Sequence, residues 1–415
     1  MSPTPATVVA VGAGQATVSA VRMLRRRGFG GRLVVLGEER HAPYQRPPLS
    51  KEYLRGDADL DDVTILDESW CGTNDVELLL GTRAERISAD GAGHRVHLAG
   101  GAELVADSVL VATGVRSRRL PGVEGDRMVH LRDLDDADRL RTLLPGAERI
   151  AVIGAGLIGS EVAASARDLG VEVTCLEAAD LPLLRQLGPE MAQVYADLHR
   201  ENGVDLRFGR QVESVDQTAS GVVVRTASGE VVEADLLVVA VGAVPNDEFA
   251  RASGLPIDPM AGGVLVDAEC RTAVAGVFAA GDIASRFDTA TGRHVRVEHS
   301  DNASRQGAVV ARALLGLPQP AEDPAWFWSD QYELGLQFVG HAGPDSTVVV
   351  RGSVDDRDFT AFYLREGRVH AAFAMDRGGD VTAARELISR GTPVAEAALA
   401  DEDTDLLDLL DTVDA

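Results

Sequence analysis

Two stretches of this chain have the residue types and spacing to hold a dinucleotide. G-A-G-Q-A-T, from Gly12 to Thr17, follows an apolar run and precedes helix-compatible sequence, and the acid Glu38 ends the next apolar run. In such a loop Gly12 allows a tight turn, and Gly14 lets backbone N–H groups approach a pyrophosphate at a helix N-terminus. The acid accepts a hydrogen bond from an adenosine ribose hydroxyl. Thr17 departs from the pattern, because a glycine or alanine normally gives close helix–strand packing there. The second stretch, G-A-G-L-I-G, with Gly154, Gly156, Leu157, Ile158 and Gly159, matches in full, and Glu177 closes its second strand. Ala178, Ala179 and Asp180 follow with no arginine to accept a 2′-phosphate, and the acid repels one, so the pattern favours NADH over NADPH. Arg185 is the nearest cation that would weaken this preference.

Two dinucleotide sites imply that electrons pass between two cofactors. A nicotinamide delivers a hydride and needs an acceptor such as a flavin, so the pair reads as NAD and FAD. Among forty basic residues there is one lysine, Lys51; codon bias accounts for the arginines but not for the lysine that survives. Cys71, Cys175 and Cys270 are isolated, which argues against a disulfide framework and a catalytic dithiol. His94 and His97 would point to opposite faces of a strand, so no metal site is expected. A formal charge of −25 argues against nucleic acid and anionic membrane surfaces as partners. No apolar run approaches the roughly 20 residues of a membrane span, and the N-terminus runs into T-V-V-A-V-G without a signal peptide's basic start. The expectation is a cytoplasmic protein.

The elements that must position these residues follow from periodicity. A chain of 415 residues exceeds one ordinary core, and two or three domains are expected. Apolar strands at 7–11, 149–153 and 236–241 end at Gly12, Gly154 and Gly242. The first two open βαβ units, with helices at 17–27 and 160–169 leading to strands at 32–36 and 173–176. The two loops lie too far apart for one sheet, so they belong to separate domains. A later strand at 276–280, followed by Gly281 and Asp282, completes the first domain and makes the second an insertion. Beyond 318–324 the sequence alternates apolar and polar residues between turn glycines, as in an antiparallel sheet, and ends in a helix at 381–390. The fold class is α/β: two Rossmann-like dinucleotide-binding domains, the FAD domain interrupted by the NAD domain, plus a C-terminal α+β domain. The expected boundaries are 1–114 with 247–321 for FAD, 115–246 for NAD and 322–415 for the last. The acidic end, 401–415, reads as solvated or loosely docked.

Beyond the loops, H-A-P-Y-Q-R-P-P-L-S-K (41–51), V-A-T-G (111–114), A-A-G-D-I-A (279–284), V-E-H-S-D-N-A (297–303) and W-F-W-S-D-Q-Y (326–332) occur in order. Together they resemble the ferredoxin reductases of bacterial cytochrome P450 and aromatic-ring dioxygenase systems, of the putidaredoxin-reductase type. The resemblance implies that Lys51 sits by the flavin, paired with Glu161, and that Asp282 hydrogen-bonds the ribityl chain. It implies that Arg46 and Arg132 reach the FAD pyrophosphate or its surroundings, with backbone contacts from Ala16, Ala84 and Thr113. Glu298 and Ser300 fall where the family brings backbone near the isoalloxazine. Several relatives carry tryptophan at the position of Ser300, a departure that bears on flavin exposure. Trp326 and Trp328 either line that region or are core aromatics. The implied reaction is hydride transfer from NADH to FAD, then single electrons to a small [2Fe-2S] ferredoxin serving a cytochrome P450 or a dioxygenase. The alternatives are an NADH-dependent oxidoreductase for quinones or small oxidants, and an interaction flavoprotein resembling apoptosis-inducing factor. An acidic ferredoxin needs a basic patch on so acidic a chain. Arg22, Arg25, Arg26 and Arg27 would form one, although cations there also complement a helix dipole.

Overall fold

The structure, a computed structural model, describes residues 4–91, 93–289, 291–343 and 345–410. The chain forms two compact units, of which the first comprises 1–47, 59–116 and 243–321, and the second 48–58, 117–242 and 322–415.

In the first unit, strands Thr7–Val11, Arg32–Leu36, Val76–Leu79, Ser108–Val111 and Val277–Ala279 form one parallel sheet, with Thr7–Val11 at its centre. Its central strands are near-continuous apolar runs because both faces are covered, whereas the edge strand Val76–Leu79 carries the exposed Glu77. Helices Gln15–Arg26 and Ser300–Leu314 contribute Val18, Val21, Leu24, Val310 and Leu314 to the core on one face. Ile87, Val96 and Leu98, from a small antiparallel sheet, and Phe249 cover the other. The strand Val277–Ala279 arrives from far along the sequence and pairs with Ser108–Val111.

The second unit holds a parallel sheet in the order Val204–Arg207, Glu172–Leu176, Arg149–Ile153, Leu236–Val239, Met128–His130. It also holds an antiparallel sheet in the order Trp326–Gln331, Leu334–Gly340, Arg368–Met375, Asp358–Arg365, Thr347–Ser353. Helix Gly378–Arg390 packs on one face of that sheet through Val381, Ala384 and Leu387. Helix Leu184–Glu201 supplies Met191, Tyr195 and Leu198 to the other. Each large apolar side chain buried in this way contributes about 1.5–3 kcal/mol.

Both nucleotide helices begin earlier than periodicity predicts, at Gln15 and Leu157, because Gly14 and Gly156 are extended N-caps and the helix starts at the next residue. The third glycine strand stops at Val239 and the C-terminal helix starts at Gly378. A larger correction concerns the acidic end. Arg351, 7% exposed, donates to the carbonyls of Asp401 (2.5 Å), Glu402 (3.2 Å) and Thr404 (3.0 Å). Leu406 is buried in the C-terminal core, and Glu402 pairs with Arg377 at 2.6 Å. Residues 401–410 are therefore specifically docked, and 411–415 lie outside the described residues. Acidic composition hid a segment held through its backbone and its leucines.

Candidate functional site

Parallel strands bring the loops that follow them to one edge of a sheet, where α/β proteins bind ligands. In the first unit, Val11 is in register with Leu36 and Val111, and Val111 with Ala279. Gly12, Gly14, Glu38, Thr113 and Asp282 therefore share that carboxyl edge. In the second, Ile153 is in register with Leu176 and Val239, and Val239 with His130. This aligns Gly154, Glu177, Gly242 and Arg132.

The two loops use the same turn. Gly12 and Gly154 have φ of +107° and +98°, and a Cβ on either would lie 2.1 Å or 2.4 Å from a carbonyl oxygen, of Ala112 or Ala240. A Cβ on Gly14 or Gly156 would meet nothing within 4 Å, and neither helix N-terminus has a side-chain cap. The space and the uncapped first-turn amides suit a pyrophosphate at each loop. The loops differ at the third position. A Cβ on Gly159 would lie 1.9 Å from the Gly154 oxygen, whereas Thr17 is fully buried and its Oγ1 donates to the Gly12 oxygen at 2.6 Å. Thr17 thus replaces a close packing contact by a hydrogen bond to the corresponding carbonyl.

Glu38 is largely exposed and pairs with Arg83, next to Ala84, at 3.1 Å. Glu177 is more constrained: its two oxygens accept N–H groups of Ala155 (2.7 Å) and Ala179 (2.8 Å). Leu157 and Ile158 open the helix, with Ile158 41% exposed, and Arg185 is exposed near the start of the next helix. Two arginines not singled out from sequence lie near Glu177 through the strand Val204–Arg207 and the turn after it. The Arg210 N–H donates to the Glu177 carbonyl at 2.8 Å, but its guanidinium is bound to Glu230 at 2.6 Å. Arg207 pairs with the same Glu230 and with Asp205. Both guanidiniums are thus already paired with carboxylates. Only the sheet pairing reveals them, since they are distant from Glu177 in sequence.

The lone lysine is 3% exposed, and its Nζ lies 3.0 Å from Oε1 of Glu161, itself 4% exposed. Ser329 Oγ donates to that Oε1 at 2.6 Å, and Ser50 Oγ donates to Oε2. A buried ion pair survives only with its remaining lone pairs satisfied, and these hydroxyls do that. In the W-F-W-S-D-Q segment the tryptophans follow the core-aromatic alternative, and the serine takes a separate part. Trp326 and Trp328 stack on one another, with centroids 5.0 Å apart, and Trp326 packs against the C-terminal core, while Ser329 reaches the glutamate.

The other residues are held by local bonds. Arg46 lies over the Tyr44 ring and pairs with Glu39 at 2.6 Å. Thr113 and Asn246 exchange bonds, Thr113 Oγ1 to the Asn246 carbonyl at 2.7 Å and Asn246 Nδ2 to the Thr113 carbonyl at 2.9 Å. The Gly281 N–H donates to Gln306, and the Asp282 carbonyl accepts from Arg296. Glu298 pairs with Arg296, and Ser300 is the first residue of helix Ser300–Leu314, which packs on the helix carrying Ala16. Arg132 follows the edge strand, and its N–H donates to Asp136 at 3.0 Å; burial and nearby Asp133 push the Asp136 carboxyl up to about 6. His94 and His97 do lie on opposite faces: His94 contacts the Ala275 carbonyl and His97 bonds Ser88.

Two of the four clustered arginines are committed to structure. Arg25 donates to four carbonyls, of Asn74, Asp75, Phe29 and Gly31, and Arg22 donates to Ile65 and covers Trp70. Arg26 and Arg27 remain exposed. The three cysteines are free and buried, so no dithiol serves as an electron relay; burial pushes the Cys270 thiol up to about 12.

Residues 6–307 match the family described as pyridine nucleotide-disulphide oxidoreductase, and residues 326–410 match one described as reductase C-terminal. The anthranilate 1,2-dioxygenase system ferredoxin–NAD(+) reductase component of Burkholderia cepacia is 40% identical, covering 95% of this chain and 96% of that protein. Putidaredoxin reductase of Pseudomonas putida is 35% identical over 97% of this chain and 96% of its own length. Among solved structures, putidaredoxin reductase covalently complexed with putidaredoxin superposes with a TM-score of 0.93 at 34% identity, over 99% of both chains. A ferredoxin reductase from Rhodopseudomonas palustris gives 0.90 at 34% identity, over 97% of this chain and 98% of that one. With two glycine-loop sheets, a C-terminal antiparallel sheet and no dithiol, the chain belongs to the pyridine nucleotide-disulphide oxidoreductase family, among the ferredoxin reductases of the putidaredoxin-reductase type.

Proposed function

We propose that this chain takes a hydride from NADH, held on the Gly154 loop, into FAD held on the Gly12 loop, and delivers electrons singly to a small iron–sulfur ferredoxin. That ferredoxin serves a cytochrome P450 or a ring-hydroxylating dioxygenase. The observation that carries this reading is the pair of open, uncapped glycine loops, each at the carboxyl edge of its own parallel sheet. FAD supplies the conversion of a two-electron donor to one-electron delivery. The chain's residues bind and bias. The Gly14 and Gly156 loops present amides to the two pyrophosphates. Glu38 accepts a ribose hydroxyl of FAD, and Asp282, Arg46, Arg132, Thr113, Ala16, Ala84, Glu298 and Ser300 complete the flavin's surroundings. Lys51, fixed by Glu161, supplies positive charge that favours the electron-rich ring. In this reading 1–114 with 247–321 bind FAD, 115–246 bind NAD and 322–415 form the C-terminal part.

NADH is preferred to NADPH. Glu177 carries the ribose-accepting charge, and Arg207 and Arg210 are paired with carboxylates. The test is anaerobic reduction of the purified holoenzyme by each nucleotide, followed by electron transfer to a [2Fe-2S] ferredoxin. NADH is expected to reduce the flavin much faster than NADPH, with ferredoxin reduction following. Slow reduction without ferredoxin turnover would overturn the reading.

A further inference from the structure

The Lys51–Glu161 pair is the inner end of a longer buried array, all of it in the second unit. Gln331 Nε2 donates to Ser329 Oγ at 2.8 Å and to Tyr195 OH at 2.8 Å. Ser329, Gln331 and Tyr195 are each 1% exposed. Ser329 and Gln331 are two apart in the strand Trp326–Gln331, so both side chains leave the same face, while Asp330 between them is exposed. Tyr195 is on helix Leu184–Glu201.

Donor inventory fixes the direction of every bond. A carboxylate oxygen only accepts, so the Ser329 hydroxyl must spend its single proton on Glu161. Its oxygen then has only lone pairs for Gln331, which must present N–H rather than C=O. The second N–H of that amide goes to Tyr195. An amide nitrogen accepts no proton, so the array ends at Gln331 as a path for protons and works only as a clamp. Ser50 closes the other side: its hydroxyl donates to Glu161 Oε2, and its carbonyl accepts from Ser165 Oγ at 2.7 Å.

We propose that Ser329 and Gln331 are positioning residues for hydride transfer: anchored on Tyr195, they fix the Glu161 carboxylate and, through it, the Lys51 ammonium. This rests on the reading of Lys51 as the cation that favours the electron-rich flavin. It assigns the serine and glutamine of W-F-W-S-D-Q a function separate from that of the tryptophans. Without the Ser329 hydroxyl, Glu161 keeps an unshared charge on the oxygen facing Lys51, which withdraws the ammonium's influence from the flavin.

The test compares holoenzymes of Ser329→Ala, Ser329→Thr, Gln331→Met, Glu161→Gln, Lys51→Met and the Ser329→Ala/Glu161→Gln double variant. Three quantities are read: the limiting rate of flavin reduction by NADH, the flavin midpoint potential and thermal unfolding of the full chain. Loss of one bond to a buried charge is expected to slow reduction by about ten- to a hundredfold. In Ser329→Ala and Gln331→Met the potential becomes more negative while NADH affinity is unchanged, and Ser329→Thr restores both rate and potential. In the Glu161→Gln background Ser329→Ala has no further effect on potential, and the two changes are non-additive in thermal unfolding. Wild-type rate and potential in Ser329→Ala and Gln331→Met, or full additivity with Glu161→Gln, overturns the clamp. If Ser329→Ala fails to fold, Gln331→Met decides alone. Should Lys51→Met leave the potential unmoved, the underlying reading of Lys51 fails instead.

Discussion

Glu177→Ala separates the two things that this carboxylate does. Its oxygens hold the N–H groups of Ala155 and Ala179 at 2.7 and 2.8 Å, which shapes the loop for any dinucleotide. In the proposed function it also accepts a ribose hydroxyl of NADH and repels the 2′-phosphate of NADPH. Two unit charges 4 Å apart interact by about 1 kcal/mol in water and about 4 kcal/mol at an effective dielectric of 20. Glu177 is half-buried and screened by salt, so each unit charge is repelled by roughly 1–1.5 kcal/mol, and a 2′-phosphate with nearly two charges by roughly 2–3 kcal/mol, or about thirty- to a hundred-and-fifty-fold. A lost ribose bond costs NADH about 1.5 kcal/mol, near tenfold. Glu177→Ala should therefore lower kcat/KM for NADH about tenfold and shift the NADH/NADPH ratio by at least a hundredfold. Damage to the loop alone would lower both nucleotides equally, so the ratio isolates the charge.

Glu230→Gln extends the same argument. The Arg207–Glu230 and Arg210–Glu230 pairs are partly exposed, and such pairs contribute less than about 1 kcal/mol each, so releasing the arginines barely affects folding. Added to Glu177→Ala, it should raise kcat/KM for NADPH a further severalfold while leaving NADH nearly unaffected. Steady-state kinetics with both nucleotides and a fixed ferredoxin measure this. An unchanged ratio in Glu177→Ala refutes the electrostatic account, and an unchanged NADPH value in the double variant refutes the role given to Glu230.

Gly159→Ala places a Cβ 1.9 Å from the Gly154 oxygen, so the loop must move by about 1 Å or more; NADH reduction should fall at least a hundredfold while bound FAD, read from the absorbance spectrum, stays at wild-type stoichiometry. Arg351→Met leaves the carbonyls of Asp401, Glu402 and Thr404 without their donor, and about 2–4 kcal/mol of stability should go, with a lower Tm and new proteolytic cuts near 399–406. Asp136 has a folded pKa of about 6, above its unfolded value, so the native state binds the extra proton and stability falls as pH rises through this range. Discounted for partial exposure, the change between pH 4 and 7 is on the order of 1–2 kcal/mol; denaturation across that range should show it in the wild type and not in Asp136→Asn.

What could be read from the sequence were features set by neighbours along the chain. A glycine turn after an apolar strand, an acid at the end of the next strand and alternation beyond 318–324 are local patterns, and the two parallel sheets and the antiparallel one follow from them. What escaped was set by partners distant in sequence. Thr17 looked like a flaw because its bond to the Gly12 oxygen exists only once the loop has folded. Arg22, Arg25, Arg26 and Arg27 read either as a basic docking patch or as complements to a helix dipole, and the sequence did not show that Arg25 is consumed by carbonyls as distant as Asp75. The acidic end read as solvated or loosely docked because composition ignores its backbone, which is what Arg351 binds.

The survival of one lysine follows the same physics. Arginine substitutes for lysine wherever a solvated charge or a planar fork suffices, and this chain uses it almost everywhere. At position 51 the cation is 3% exposed, in a space already shared by Ser50, Ser329 and Glu161. A guanidinium carries five donors in a fixed plane, and here one carboxylate already accepts two hydroxyls, so most of those donors would be buried without partners. A compact ammonium needs fewer acceptors and reaches Oε1 at 3.0 Å from a flexible stem. The exception in the composition thus identifies a point where geometry overrides residue bias, and the W-F-W-S-D-Q segment is tied to it through Ser329.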